Sequence, residues 1–160
     1  MTIQVGDRLP DATFTVMKDG KPAPMTTAEL TAGKRVALFA VPGAFTPTCD
    51  ARHLPGYKDA LGELKGKGVD QVACVSVNDV FVMNAWGKSQ DIGSDILMLA
   101  DGNGDFTKAV GLELDGRKFG MGARSQRYSM IVEDGVVKQL NVEAGGEFRV
   151  SAADYMLARL

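Results

Sequence analysis

The stretch Val36-Ala37-Leu38-Phe39-Ala40-Val41-Pro42-Gly43-Ala44-Phe45-Thr46-Pro47-Thr48-Cys49 decides how this chain is read. Val36 to Val41 is unbroken apolar sequence, and a run of that length fits a strand covered on both faces of a sheet. Pro42-Gly43 closes it. Thr46 then suits a helix N-cap, and Pro47 suits the first helical position, where no amide hydrogen is needed. Cys49 thereby falls third in the helix, in a first turn with unpaired amide hydrogens and the positive end of the macrodipole. Such a setting favours thiolate over thiol. It also follows the carboxyl end of a buried strand, where α/β sheets open into ligand sites. A cysteine that only packs as a small hydrophobe is the common alternative; the polar strand exit argues against it.

Upstream of this stretch, Ala12 to Met17 and Lys21 to Met25 flank Asp19-Gly20 and predict a hairpin. Thr26 and Glu29 have the spacing of a capping box, so a short helix should follow and end near Gly33. Downstream, Leu54, Tyr57, Leu61 and Leu64 continue one helical face, which Pro55 should kink or divide. Val69 to Val77 and Ile96 to Ala100 read as further buried strands, separated by a helix that Asn78-Asp79 caps and that carries Val80, Phe81, Met83 and Trp86. A short helix spans Phe106 to Val110. Arg127 to Glu133 and Val136 to Val142 form a hairpin around Asp134-Gly135. Ser151 to Leu160 reads as a final amphipathic helix. The βα alternation with a late hairpin predicts one α/β domain over residues 1–160, a mixed central sheet flanked by helices. A thioredoxin-like arrangement satisfies it more easily than a flavodoxin-like one.

Composition sets the outer limits. With 160 residues, 45% hydrophobic and 24% charged, the chain is long enough to bury its own core. A net charge of -2 without a basic block gives no support for nucleic-acid binding. No apolar stretch approaches the roughly 20 residues needed to span a bilayer, and Met1 to Pro10 lacks the order of a signal peptide. The expected location is therefore cytoplasmic. Two cysteines, Cys49 and Cys74, make no CxxC pair and suit a reducing compartment.

Pro42-Gly43-Ala44-Phe45-Thr46-Pro47-Thr48-Cys49 resembles the Pro-x-x-x-Thr-x-x-Cys signature of peroxiredoxins. His53-Leu54-Pro55-Gly56-Tyr57, Ser76-Val77-Asn78-Asp79, Ala85-Trp86-Gly87 and Arg127-Tyr128-Ser129-Met130 resemble the peroxiredoxin-5-like group, in the same order along the chain. The resemblance implies a thiol-dependent peroxidase that reduces hydrogen peroxide and organic hydroperoxides. It implies that Cys49 is the attacking cysteine, that Thr46 orients the peroxide, that Pro42 shields the thiolate, and that Arg127 completes the pocket. A homodimer is implied in the same way. Arg52 and Arg124 are rival cations, Arg52 because it lies three positions after Cys49 on one helical face.

Ionisation alone does not make a peroxidase. Lowering a thiol pKa from about 8.5 to about 6 raises the thiolate fraction at neutral pH about thirtyfold, while a Brønsted slope of about 0.4–0.5 returns about tenfold. Alignment of the O–O bond and stabilisation of the departing oxygen must supply the rest, from the Cys49 amide, the Thr46 hydroxyl and the Arg127 guanidinium.

Attack leaves a sulfenic acid that must be reduced. The family's intramolecular cycle places a resolving cysteine in the C-terminal segment, yet Glu143 to Ala153 contains none. Cys74, in mid-strand, reads as a buried thiol. A one-cysteine cycle follows, with glutathione and glutaredoxin, or thioredoxin, as the reductant that the resemblance implies. A peroxide sensor or redox-relay module that passes its oxidation to a partner is the alternative. His53, the sole histidine, invites a cysteine–histidine hydrolase, but no oxyanion site accompanies it, and a structural or tuning role fits better. Asp101 to Asp105 begins like a calcium loop and then departs from it at Phe106 and Leu112. No metal and no cofactor are expected.

Overall fold

The computed structural model describes residues 1–160. Strands β1 (Thr13–Lys18) and β2 (Lys21–Thr26) pair antiparallel, and Asp19 and Gly20 between them take positive φ of 52° and 78°, the pattern of a tight two-residue turn. Thr26 and Glu29 form the expected capping box at the start of α1 (Thr27–Thr31). β3 (Arg35–Val41) follows, and alternation along it sends Ala37, Phe39 and Val41 to one face of the sheet and Val36, Leu38 and Ala40 to the other. Both faces are covered, so the apolar run has no polar break.

A helical segment then runs from Pro47. Its turn Cys49–His53 is π-helical, and α2 (Leu54–Asp59) and α3 (Leu61–Gly66) complete it. The Leu54 amide donates to the Cys49 carbonyl, and Pro55 has no amide hydrogen to bond the carbonyl four residues back. The expected break at Pro55 is thus a widened turn just before it, with a second interruption at Ala60. β4 (Gln71–Ser76), α4 (Val80–Ser89), β5 (Ile96–Ala100) and α5 (Asp105–Ala109) follow, β4 being shorter than the apolar run predicts. Asp101 spends both carboxylate oxygens on the start of α5, accepting from the Phe106 and Thr107 amides and the Thr107 hydroxyl at 2.7–3.1 Å.

A small hairpin not expected from sequence comes next. β6 (Glu113–Asp115) pairs with β7 (Ala123–Ser125), and a 3-10 turn, Arg117–Phe119, lies between them. β8 (Tyr128–Glu133) and β9 (Val136–Val142) form the late hairpin. The terminal helix α6 is confined to Ala153–Leu157, shorter than predicted at both ends, and at its start Glu143 holds Ser151 in the preceding loop.

The seven-stranded sheet has the order β2-β1-β5-β4-β3-β8-β9. β3, β4 and β5 are parallel, while β1 and β8 join them antiparallel. This is the mixed sheet predicted, and the antiparallel β8–β9 hairpin removes the flavodoxin-like alternative. One face packs on α2, α3, α4 and α6; the other is covered by α1, α5 and the N-terminal segment. Cys49 and Cys74 both lie on the first face.

Candidate active site

The loop that leaves β3 is fixed by side chains from the neighbouring strand exit. Asn78 Oδ1 accepts from the Ala44 amide at 3.0 Å and from the Ser76 hydroxyl at 2.6 Å. Phe45 adopts a left-handed φ of 64°, uncommon for a bulky side chain and a sign that the surroundings hold the backbone there. Thr46 sits at the helix start, its carbonyl accepting from the Asp50 amide at 2.8 Å. Its hydroxyl does not cap the helix as the sequence suggests. It donates to the Gly43 carbonyl at 2.7 Å, which leaves its lone pairs free to accept.

The first turn is tied to α4 as well. Asp50 Oδ1 accepts from the Trp86 indole at 2.8 Å and from the Gln90 amide at 2.9 Å, and Gln90 also donates to the Asp50 carbonyl at 3.0 Å. Trp86 is fully buried. These bonds place the helix bearing Cys49 against both the sheet and α4.

The Cys49 sulfur is buried, yet not in purely apolar packing. Arg127, just before β8, donates from Nη2 to Sγ at 3.0 Å, and its Nη1 lies 2.8 Å from His53 Nδ1. The other ring nitrogen, Nε2, lies 3.1 Å from the Ser151 carbonyl, which also accepts from the Tyr57 hydroxyl at 2.8 Å. Ser151 is held in turn by Glu143, whose Oε2 accepts from its amide at 2.8 Å and its hydroxyl at 2.6 Å. Burial, then the nearby Arg127 charge, press the His53 pKa down to about 3. Glu143 has its carboxyl pKa lowered: burial acts upward, but bonds from Ser151, Arg149 and Val150 outweigh it. The Tyr57 hydroxyl is pushed up, chiefly by burial. Phe39 stacks on Tyr57 at 4.1 Å and meets His53 at 4.8 Å, and Phe148 approaches the imidazole edge-on at 5.0 Å.

Of the residues singled out from sequence, Cys49 and Arg127 touch, and Thr46 lies one turn before the sulfur on the same segment. Pro42 is half-buried at the strand exit. Neither rival cation bonds the Cys49 sulfur, and only Arg124 reaches the loop before it, at Gly43. Arg52 is exposed, with its guanidinium 4.7 Å from the Phe148 ring centre, and Arg124 donates to the Met121 carbonyl at 2.9 Å. Cys74 is wholly buried and forms no disulfide, its thiol pKa raised well above the usual range by burial. The Ser151–Glu143 anchor and the Asp50–Trp86 tie were not expected, since neither leaves a periodic signal. No three His, Cys, Asp or Glu side chains cluster as a metal site would require, and no helix is long and apolar enough to cross a membrane.

The pattern of the Redoxin family matches residues 4–157. The chain is similar to Peroxiredoxin-2E-2, chloroplastic, of Oryza sativa subsp. japonica, at 54% identity over 99% of this chain and 73% of that protein. It is similar to Peroxiredoxin-2B of Arabidopsis thaliana at 47% identity, over 99% of this chain and 98% of the other. Among solved structures, reduced Prx3 of Vibrio vulnificus in complex with H2O2 superposes with a TM-score of 0.95 at 54% identity, covering 99% of both chains. Peroxiredoxin 5 from Alvinella pompejana superposes at 0.87 with 35% identity, over 98% of this chain and 96% of that one. The fold is therefore thioredoxin-like, as expected. The cytoplasmic expectation is overturned: the rice relative and a second from Arabidopsis thaliana, 51% identical, are both chloroplastic by name.

Proposed function

We propose, on the premise that the chain belongs to the Redoxin family and within it to the peroxiredoxins, that Cys49 is the sulfur at which this thiol-dependent peroxidase reduces its substrate. The observation that carries the assignment is the Arg127 guanidinium, with one nitrogen 3.0 Å from the Cys49 sulfur. It supplies a positive charge and a fixed donor beside the one thiol at the mouth of a helix.

The step follows from that arrangement. The Cys49 thiolate gives an electron pair to the nearer peroxide oxygen, and the O–O bond breaks with its electrons going to the farther oxygen. That oxygen takes a proton and leaves as water or an alcohol, and the sulfur remains as a sulfenic acid. Arg127 stabilises charge on the departing oxygen; the Thr46 hydroxyl, its own proton committed to the Gly43 carbonyl, accepts from the peroxide and orients it. Pro42 closes the strand exit against water. The Vibrio relative whose crystal contains H2O2 supports hydrogen peroxide as a substrate, and organic hydroperoxides offer the same bond.

Regeneration is by external thiol. The segment Glu143 to Ala153 has no cysteine, and Cys74 is buried with its thiol pKa raised. A first thiol condenses with the sulfenic acid, releasing water and forming a mixed disulfide, and a second thiolate displaces Cys49. Glutathione with glutaredoxin, or thioredoxin, fills this role, and the enzyme works as a homodimer, a reading that exposed Phe45, Phe81 and Phe119 support. Mass spectrometry after one equivalent of peroxide and glutathione should find a single glutathione adduct on Cys49, and steady-state peroxide consumption should follow with either reducing system. A Cys49–Cys74 disulfide would refute the one-cysteine cycle, and a Cys49→Ser variant with full turnover would refute the assignment of Cys49.

A further inference from the structure

Arg127 has two jobs to divide between two terminal nitrogens, and only one faces the sulfur. The other lies 2.8 Å from His53 Nδ1. A guanidinium has no lone pair to accept with, so the short approach requires a bare Nδ1 as acceptor. The proton of the neutral imidazole is then on Nε2, where the Ser151 carbonyl accepts it at 3.1 Å. That carbonyl is no free-swinging group: Tyr57 donates to it at 2.8 Å, and the Ser151 amide and hydroxyl are both bound by Glu143.

We propose that His53 is a positioning residue for peroxide reduction, holding Arg127 on the Cys49 sulfur through a bare Nδ1, with its tautomer set by the Ser151 carbonyl. The inference rests on the assignment of Cys49 and Arg127 above and adds to it a chain of contacts running Glu143, Ser151, His53, Arg127, Cys49. The ring cannot easily turn over. It has no exposed surface and is enclosed by Phe39, Tyr57 and Phe148 at centroid distances of 4.8, 5.7 and 5.0 Å. Its charged or titratable neighbours are Arg127, Tyr57, Cys49 one helical turn before it, and Arg52, whose guanidinium lies over the Phe148 ring. None of them offers Nδ1 a donor in place of Arg127, since Tyr57 is committed to Ser151 and Arg52 lies over the Phe148 ring. The lone histidine is thus a hydrogen-bond adapter: it converts a carbonyl, which a guanidinium could have met directly, into an acceptor at the distance and angle that leave Nη2 on the sulfur.

The test compares two rates in each variant: reaction with hydrogen peroxide and alkylation by iodoacetamide, which senses the thiolate and its access but not alignment of an O–O bond. His53→Phe, which keeps the ring shape and has no acceptor, should lower the peroxide-to-alkylation ratio about tenfold. His53→Asn, whose side-chain oxygen can stand where Nδ1 does, should stay within about threefold of wild type. Arg127→Ala, run in parallel, should lower the ratio further than His53→Phe. An Arg127→Ala ratio equal to wild type would overturn the parent assignment and this inference together. A normal ratio in His53→Phe with a low one in Arg127→Ala would overturn this inference alone. Should His53→Phe not fold, nitrogen-15 NMR of the wild-type imidazole decides: protonated Nε2 and bare Nδ1 in the reduced protein are required, and a protonated Nδ1 overturns the inference.

Discussion

Protonating His53 means charging a ring that burial cuts off from solvent, and it also sets a second cation against Arg127. Its pKa therefore falls to about 3 in the folded protein, against an ordinary value of 6.5 once unfolded. Between those values the unfolded chain binds more protons, so stability falls as pH falls, at up to about 1.4 kcal/mol per pH unit for this one group. The contribution is complete above the unfolded value and is spent below the folded one. Glu143, with its lowered carboxyl pKa, adds loss in the same direction at the acid end. Urea unfolding of wild type from pH about 7 down to about 4 should show this slope, and His53→Asn should flatten it; an unchanged slope would mean another group carries it. At this scale the sequence told much about Cys49 and little about His53. A cap residue, a proline and a third position are local facts, whereas the partners of His53 lie 74 and 98 residues away.

The helix that carries Cys49 is placed by its ties. Asp50 joins it to α4 through the Trp86 indole and the Gln90 amide. Removing the carboxylate strands a buried indole N–H, a loss of about 1–3 kcal/mol. Asp50→Ala should lower unfolding stability by that amount, while Asp50→Asn, which keeps the acceptor, should recover most of it; equal stability in all three proteins would show the tie to be idle. Strands and caps here were readable because each repeats a local pattern: apolar continuity in β3, the Thr26–Glu29 reciprocity, the Asp-Gly turns. The π turn was not, because Pro55 announces a break without saying how the preceding residues absorb it. Nor was the β6–β7 hairpin, since its strands have three residues each and β6 is wholly exposed, which leaves no alternation to detect.

Across the whole molecule, the sheet brings together residues that the chain keeps far apart. β3 delivers Cys49 from its carboxyl end, and β8, antiparallel beside it, begins next to Arg127, so the two meet across 78 residues. From the bare pattern of strands and helices, the mixed sheet was predictable, but that meeting was not; only the family resemblance pointed to Arg127 over Arg52 and Arg124. Helical spacing allowed Arg52 an approach to the sulfur but suited a solvated charge better, and the structure leaves it exposed over Phe148. Cys74 lies at the middle of the sheet on the same face as Cys49, with no exposed surface, so its place in a strand was a reliable guide to its seclusion. The account stands on a guanidinium and a hydroxyl aligning a peroxide at a single sulfur. Stopped-flow rates with hydrogen peroxide, measured for Thr46→Val and Arg127→Ala at a pH where each cysteine is ionised, test this most directly. Each rate should fall about a hundredfold or more, and wild-type rates in either variant would contradict the account.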